Sequence, residues 1–194
     1  QHPAPFLIKD IEKLISMFTK KGMVVLDPFN GVGTTLIASN NLKRKGIGID
    51  LSKKYCNLAE KRLKELNVKV GQKIICGDSL KAILKIKGKL DYCVTSPPYH
   101  NILKNNGQGL RAEKDGKRSG SRIGVEYYSE DKNDLGNQKS YEDFLNLFGE
   151  IMSVVHKKLN DKKYIIIIIS DFTVNKKEKC VQSYIVKIME KVGF

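Results

Sequence analysis

Ser96-Pro97-Pro98-Tyr99 sets a hydroxyl, a carbonyl held between rigid proline rings and an aromatic face side by side, directly after the apolar run Leu90-Asp91-Tyr92-Cys93-Val94-Thr95. That combination suits the rim of a pocket for a planar amine, with acceptors for the amine hydrogens and a ring for the flat face. A run such as 90–95 reads as a strand, and open α/β sheets bind ligands beyond the carboxyl ends of their strands. Ser-Pro and Pro-Pro also serve as plain turn punctuation, so the tetrapeptide gains weight only beside a second motif.

Asp27-Pro28-Phe29-Asn30-Gly31-Val32-Gly33-Thr34-Thr35 follows the apolar run Met23-Val24-Val25-Leu26 and precedes the helical pattern Leu36-Ile37-Ala38. This is the strand, glycine turn and helix of a nucleotide fold. Gly31 and Gly33 allow positive φ and a close ligand approach, and Thr34 and Thr35 are expected to cap the helix. A third glycine for G-x-G-x-x-G is missing, as is the Gly-Lys-Ser/Thr of a P-loop, so dinucleotide and triphosphate readings lose ground. A second strand, Ile47-Gly48-Ile49, ends in Asp50, 17 positions beyond Gly33, where an acid can take both hydroxyls of a ribose. A third, Lys73-Ile74-Ile75-Cys76, leads to Gly77-Asp78-Ser79. Any one of Asp27, Asp50 and Asp78 alone is most simply a turn or cap residue; three at successive strand ends favour a bound nucleoside.

On these residues the chain resembles the amino-methyltransferases that use S-adenosylmethionine to methylate an exocyclic amine of a DNA base, leaving S-adenosylhomocysteine. Residues Asp27 to Thr35 resemble the family's cofactor motif, Thr95 to Tyr99 its catalytic motif, and His2-Pro3-Ala4-Pro5-Phe6 the segment that packs beside the methionine part of the cofactor. The resemblance spans residues 2–171 and is weakest between Tyr99 and Ser140. It implies a Rossmann-like class I methyltransferase fold, a doubly wound and mainly parallel sheet with helices on both faces. It assigns Ser96, Pro97, Pro98 and Tyr99 to catalysis, and His2, Pro3, Phe6, Asp27, Pro28, Phe29, Gly31, Gly33, Thr34, Thr35, Asp50, Asp78 and Ser79 to the cofactor. Ser96 Oγ and the Pro97 carbonyl would accept the two amine hydrogens, and Tyr99 would stack on a base flipped out of double-stranded DNA. Phe29 or Tyr99 would face the sulfonium cation.

Members begin the catalytic motif with Asp, Asn or Ser. The Ser form goes mostly with the N4 amine of cytosine, so Ser96 leans the expectation that way, with adenine N6 as the alternative. RNA or protein-amide methylation, and a nucleic-acid-binding module without turnover, are more distant readings. The expected setting is restriction-modification, with a companion endonuclease. Relatives continue with a strand hairpin after a Gly-Phe-like entry, so a chain starting without Met and stopping at Gly193-Phe194 reads as truncated, its C-terminal hairpin missing.

The elements that must position these groups follow from periodicity. Residues 10–19 carry Ile11, Leu14, Ile15 and Phe18 on one helical face. Strands are expected near 23–27, 46–50, 73–76, 90–95 and 163–170, and helices near 34–41, 53–66, 79–86, 141–158 and 177–191. Such alternation predicts a parallel sheet in one domain over 1–194, and strand order 3-2-1-4-5 would bring Asp27 and Ser96 to adjacent strand ends. Tyr164 to Ile169 read as a strand buried on both faces. Ser140 reads as an N-cap with Asp143 in a capping box.

Between Tyr99 and Ser140 lies a long glycine-containing stretch without a period. Over 104–122 it carries six basic residues against two acidic ones. Lys104, Arg111, Lys117, Arg118 and Arg122 are expected to meet DNA phosphates, a reading supported by the formal net charge of +14. Lys53, Lys54, Lys61 and Lys64 read instead as the solvated face of a helix. Cys56, Cys76, Cys93 and Cys180 form no C-x-x-C pair, and His2, His100 and His156 have no metal-ligand spacing, so neither a zinc site nor a disulfide framework is indicated. Cys93 is assigned to the core and His100 to a possible substrate contact. No bilayer-spanning run or signal pattern is present, and a cytoplasmic location is expected.

Overall fold

A computed structural model describes residues 6–68, 71–100, 131–174 and 177–194. Its elements are α1 (Ile8–Phe18), β1 (Val24–Asp27), α2 (Thr34–Asn41), β2 (Lys45–Asp50), α3 (Lys53–Glu65), β3 (Gln72–Cys76), α4 (Ser79–Leu84), β4 (Leu90–Thr95), a 3₁₀ turn (Leu135–Asn137), α5 (Tyr141–Lys158), β5 (Leu159–Ile167), β6 (Phe172–Val174), β7 (Lys177–Lys179) and α6 (Val181–Val192). The first five strands form one parallel sheet in the order β3-β2-β1-β4-β5. Helix α2 neighbours α1 and α3, and α5 neighbours α4 and α6. The order reverses beside β1, and β1 and β4 are therefore where a ligand cleft is expected to open.

Burial explains the layering. Central strand β4 has no solvent-facing side, and Leu90, Tyr92, Cys93 and Val94 are all fully buried. Its two faces feed different cores. Tyr92 and Val94 pack with Ile11 and Ile15 of α1, where the Phe18 ring stacks on Tyr92 at 5.6 Å, while Leu90 and Cys93 join Phe144, Phe148 and Met152 of α5. Helix α3 turns Lys53, Lys54, Lys61 and Lys64 to solvent, as its pattern predicts. The Ser140 capping box forms in full, with the Asp143 amide donating to Ser140 Oγ at 3.0 Å and the Ser140 amide to the Asp143 carboxylate at 3.2 Å.

Three expectations are corrected. The apolar run in β5 is only half-buried, with Tyr164 59% exposed, because β5 has a single neighbour in the sheet among the described residues. That strand also starts at Leu159, straight after α5, and ends at Ile167. The last helix begins at Val181 rather than near 177, since 177–179 pairs antiparallel with 172–174 as a separate ribbon. Asp171 holds the helix start by accepting the Val181 amide at 2.8 Å.

Gly33 carries a packing constraint as well as a conformational one. Its φ is +80°, and a Cβ there would lie 3.0 Å from Ala59 Cβ and 3.2 Å from Leu63 Cδ1 of α3. Gly33→Ala is expected to cost about 1–3 kcal/mol, read as a lowered urea midpoint with an unchanged slope.

Candidate active site

Asp27 closes β1 with its carboxylate turned inward. Asp27 Oδ1 accepts from the Thr95 hydroxyl at 2.6 Å and from the Phe29 amide at 3.1 Å, and Oδ2 accepts from the Thr35 hydroxyl at 2.6 Å. Burial raises its pKa, and the three donors oppose that rise. The result is a buried clamp that ties the glycine loop, the first turn of α2 and the end of β4 together.

Thr34 and Thr35 do not cap α2, which corrects the motif reading. Gly33 is the N-cap and makes no side-chain bond. Thr35 is occupied by Asp27, while Thr34 Oγ1 accepts from the Arg62 guanidinium at 3.3 Å; Arg62 also donates to the Val32 carbonyl at 2.6 Å. The loop also lies directly on β2, where the Asn30 amide donates to the Ile49 carbonyl at 2.8 Å. A Cβ on Gly48 would fall 2.3 Å from Asn30 Oδ1. Only a bare backbone admits the Asn30 side chain there.

Asp50 joins the end of β2 to this loop, since Oδ2 accepts the Gly31 amide at 2.7 Å and Oδ1 the Ser52 amide at 2.8 Å. Burial pushes its pKa up to about 7, against those two amides and with help from the carboxylates of Asp27 and Asp134. Around it also stand the Tyr55 phenol, and the Cys56 thiol that donates to the Asp50 carbonyl at 3.4 Å. A carboxyl raised from 3.8 keeps its proton in the folded state after the unfolded chain has released it. Its contribution to stability is full below pH 3.8 and is lost as pH rises to about 7. Denaturant titrations between those limits should show stability falling with pH, and Asp50→Asn should flatten that slope.

Asp78 and Ser79 serve the architecture too. Asp78 Oδ1 caps α4 by accepting the Leu80 amide at 2.9 Å, its other oxygen stands 3.9 Å from Lys81, and Ser79 Oγ donates to the Pro28 carbonyl at 2.6 Å. On the far side, Ser96, Pro97, Pro98 and Tyr99 leave the end of β4. Ser96 Oγ has no hydrogen-bond partner among the described residues. The Tyr99 hydroxyl accepts from the Ser170 amide at 3.0 Å and lies 3.4 Å from Ser170 Oγ, which fixes the ring from beyond β5. His100 goes the other way: it is buried, its Nε2 meets the Gln138 carbonyl at 2.9 Å, and Tyr141 and Phe144 pack on it at 6.0 Å. It belongs to the α5 core rather than to the cleft.

These loops border an open cleft with a cavity volume of about 110 Å³. Phe6, Asp27, Pro28, Phe29, Gly31, Thr34, Thr35, Asp50, Asp78, Ser79, Ser96, Pro97, Pro98 and Tyr99 all line it, while Gly33 lies behind the wall against α3. His2, Pro3, Lys104, Arg111, Lys117, Arg118 and Arg122 lie outside the described residues. Sequence reasoning did not assign Asn30, Val32, Leu51, Tyr55, Asn133, Asp134, Leu135, Leu147 and Ile151, which complete the lining. Leu147 and Ile151, one helical turn apart, read only as core. Asp134 followed by Leu135-Gly136 is a capping pattern and carries no sign of where the segment lies. Among the described residues no group of three or more His, Cys, Asp or Glu could hold a metal ion, and no helix is long and apolar enough to cross a membrane.

The fold is that of known methyltransferases. A putative rRNA methylase from Clostridium thermocellum superposes with a TM-score of 0.60 at 13% identity over 96% of this chain and 80% of its own. A putative methyltransferase of Streptococcus mutans, solved with SAH, gives 0.53 at 12% identity over 84% and 72%. In sequence, the orphan methyltransferase M.BamHII of Bacillus amyloliquefaciens is 48% identical over 66 residues, 33% of this chain and 24% of the relative. The type II methyltransferase M2.DpnII of Streptococcus pneumoniae is 46% identical over 57 residues, 29% and 21% of the respective lengths. The chain thus matches about a quarter of the length of these curated relatives. The N6/N4 DNA methylase model matches residues 1–61 and 90–194, most of the sequence, and the chain belongs to that DNA methylase family.

Proposed function

We propose that the chain is the catalytic domain of an S-adenosylmethionine-dependent DNA methyltransferase acting on the N4 amine of cytosine, within cytoplasmic restriction-modification. The observation that carries this is the joining of two motifs in one cleft. The glycine loop after β1 and Ser96-Pro97-Pro98-Tyr99 after β4 share its lining, and the Thr95 to Asp27 bond of 2.6 Å locks the two strand ends together.

The residues suit the cofactor. Asn30 is 5% exposed, lines the cleft, and has neither side-chain polar atom hydrogen-bonded, an expensive state for a buried amide without a ligand. Each Asp50 oxygen holds one amide and keeps lone-pair capacity for ribose hydroxyls. Bound there, S-adenosylmethionine supplies an electrophilic methyl on a sulfonium. The residues of the chain do the rest by orientation. A cytosine amine is a weak nucleophile because its lone pair is delocalised into the ring. Ser96 Oγ and the Pro97 carbonyl accept its two hydrogens and favour a pyramidal nitrogen, and Tyr99, held by Ser170, stacks on the flipped base. Lys104, Arg111, Lys117, Arg118 and Arg122 are assigned to DNA phosphates on charge alone. The choice of cytosine rests on Ser96 opening the motif.

Incubation with labelled S-adenosylmethionine and mixed-sequence duplex DNA, followed by digestion and mass spectrometry of the nucleosides, tests this. N4-methylcytosine is the expected product. N6-methyladenine would overturn the base assignment and keep the transfer; label in RNA or protein amides alone would overturn DNA as substrate.

A further inference from the structure

The cleft opens at the carboxyl edge of the sheet, whereas the chain's positive charge gathers at the opposite edge. Because the five strands run parallel, the segments leading into β2, β1, β4 and β5 lie side by side at the amino edge. These are residues 42–45, 19–23, 85–91 and 157–163, which hold 12 of the 35 basic residues and only 2 of the 21 acidic ones, Asp91 and Asp161. That leaves 23 basic against 19 acidic residues for everything else. Most of the formal net charge of +14 is therefore carried by one face.

The face is built as a unit. The Gly22 amide donates to the Lys43 carbonyl and the Lys45 amide to the Met23 carbonyl, each at 2.9 Å, and the Arg44 guanidinium donates to the Thr19 carbonyl at 2.7 Å. In the other half, Lys89 Nζ donates to the Lys157 carbonyl at 2.9 Å and Lys158 Nζ to the Ile86 carbonyl at 2.6 Å. Asp91 joins the halves by accepting the Val24 amide at 2.9 Å and the Asn160 side-chain amide at 3.1 Å. Arg44, Lys89 and Lys158 are thus anchored on uncharged carbonyls, which hold a cation in place without cancelling it. Among the described residues, Lys163 alone of the twelve stands within 4.0 Å of a carboxylate, that of Asp91. Complementing helix ends does not account for the pattern, since α1 and α2 carry no basic residue in their last turns and the lysines follow beyond them.

We infer that this face holds a second segment of duplex DNA by its phosphates, without reading its sequence, while the target base enters the cleft at the other edge. The inference goes beyond the proposed function and rests on it for the identity of the polyanion. Four adjacent strands spread the basic segments over roughly 15 Å, a length of duplex that carries about nine phosphate charges. Eleven of the twelve basic residues are lysines, flexible point charges that suit a backbone contact better than the bidentate reading of a base edge. Strands β1 and β4, four and six residues long, separate the two edges, a distance of about 13–20 Å. The duplex that feeds the cleft therefore lies on the far side of the sheet from this face.

Neutralising one exposed lysine in each segment tests this. Lys21→Gln, Lys43→Gln, Lys87→Gln and Lys157→Gln together remove four charges whose side chains make no hydrogen bond or ion pair among the described residues. Affinity for a labelled mixed-sequence duplex, read by fluorescence anisotropy over a salt series, should fall at least ten-fold at about 50 mM salt, and the slope of log affinity against log salt should become shallower by about 3. Lys21→Gln with Lys43→Gln alone should give about half that change in slope, which keeps the test if the larger variant folds poorly. Methyl transfer at saturating DNA should keep the parental rate, because the cleft is untouched. Lys9→Gln, Lys13→Gln, Lys54→Gln and Lys61→Gln, an equal loss of charge from exposed positions on α1 and α3, should leave affinity and slope unchanged. Equal losses from both sets would overturn the inference and leave net charge alone at work. A slope that changes for structured RNA and not for duplex DNA would overturn DNA as the partner, and slowed transfer at saturating DNA would place the target duplex itself on this face. In each of these cases the parent still methylates DNA; failure of the proposed function shows instead as no transfer by the parent.

Discussion

Ser96→Ala is expected to slow methyl transfer by roughly 10²-fold or more while leaving affinity for S-adenosylmethionine within about two-fold of the parent. The two effects separate because Ser96 Oγ takes no part in the side-chain hydrogen bonds that build the glycine loop, which run through Asp27, Asp50, Thr35, Arg62 and Ser79. Removing it costs one positioned acceptor for the amine and nothing in the cofactor wall. Single-turnover rates with methylated-base detection, beside calorimetry, measure both. Equal rates in parent and variant would remove Ser96 from the reacting centre, and a parallel loss of affinity would make it a cofactor residue.

Asp27→Ala should act on the other half of the cleft and at larger cost. Three donors lose their acceptor together, the Thr35 and Thr95 hydroxyls and the Phe29 amide, and both threonines are buried. Burial of the carboxylate is itself unfavourable, as its raised pKa records, so the losses are partly offset. A net loss of about 3 kcal/mol of stability is expected, with cofactor affinity reduced at least ten-fold because the loop and β4 are no longer tied. Asp27→Asn keeps one acceptor oxygen and should fall between. Urea unfolding and calorimetry on the same preparations test it; a stable Asp27→Ala protein with parental affinity would show that the clamp is dispensable.

The sheet was legible because its strands are short apolar runs separated by helical periods, and burial on both faces allows little else for Val24 to Leu26 or Tyr92 to Val94. Alternation and handedness limit the winding, and order 3-2-1-4-5 is the one that puts Asp27 and Ser96 on adjacent strand ends. The edges were less legible. Tyr164 to Ile169 read as a fully buried strand, but apolarity does not reveal how many neighbours a strand has, and among the described residues β5 has only β4 beside it. The ribbon of β6 and β7 is too short to show a period.

Within the cleft, residue type and spacing alone located the two motifs, since glycines with positive φ, a strand-end acid and Ser-Pro-Pro-Tyr are local requirements that few residues meet. Which way each side chain works was decided by tertiary structure. Asp27 turns inward where Thr95, far along the chain, supplies a donor that offsets part of the cost of burying it. Thr35 follows Asp27 rather than capping its own helix, His100 joins the α5 core, and Ser170 pins Tyr99. Asp134 reaches the cleft only because the chain folds back across the strand ends. Local chemistry is written in short windows of sequence, whereas partners that satisfy a buried polar group come from wherever the fold delivers them.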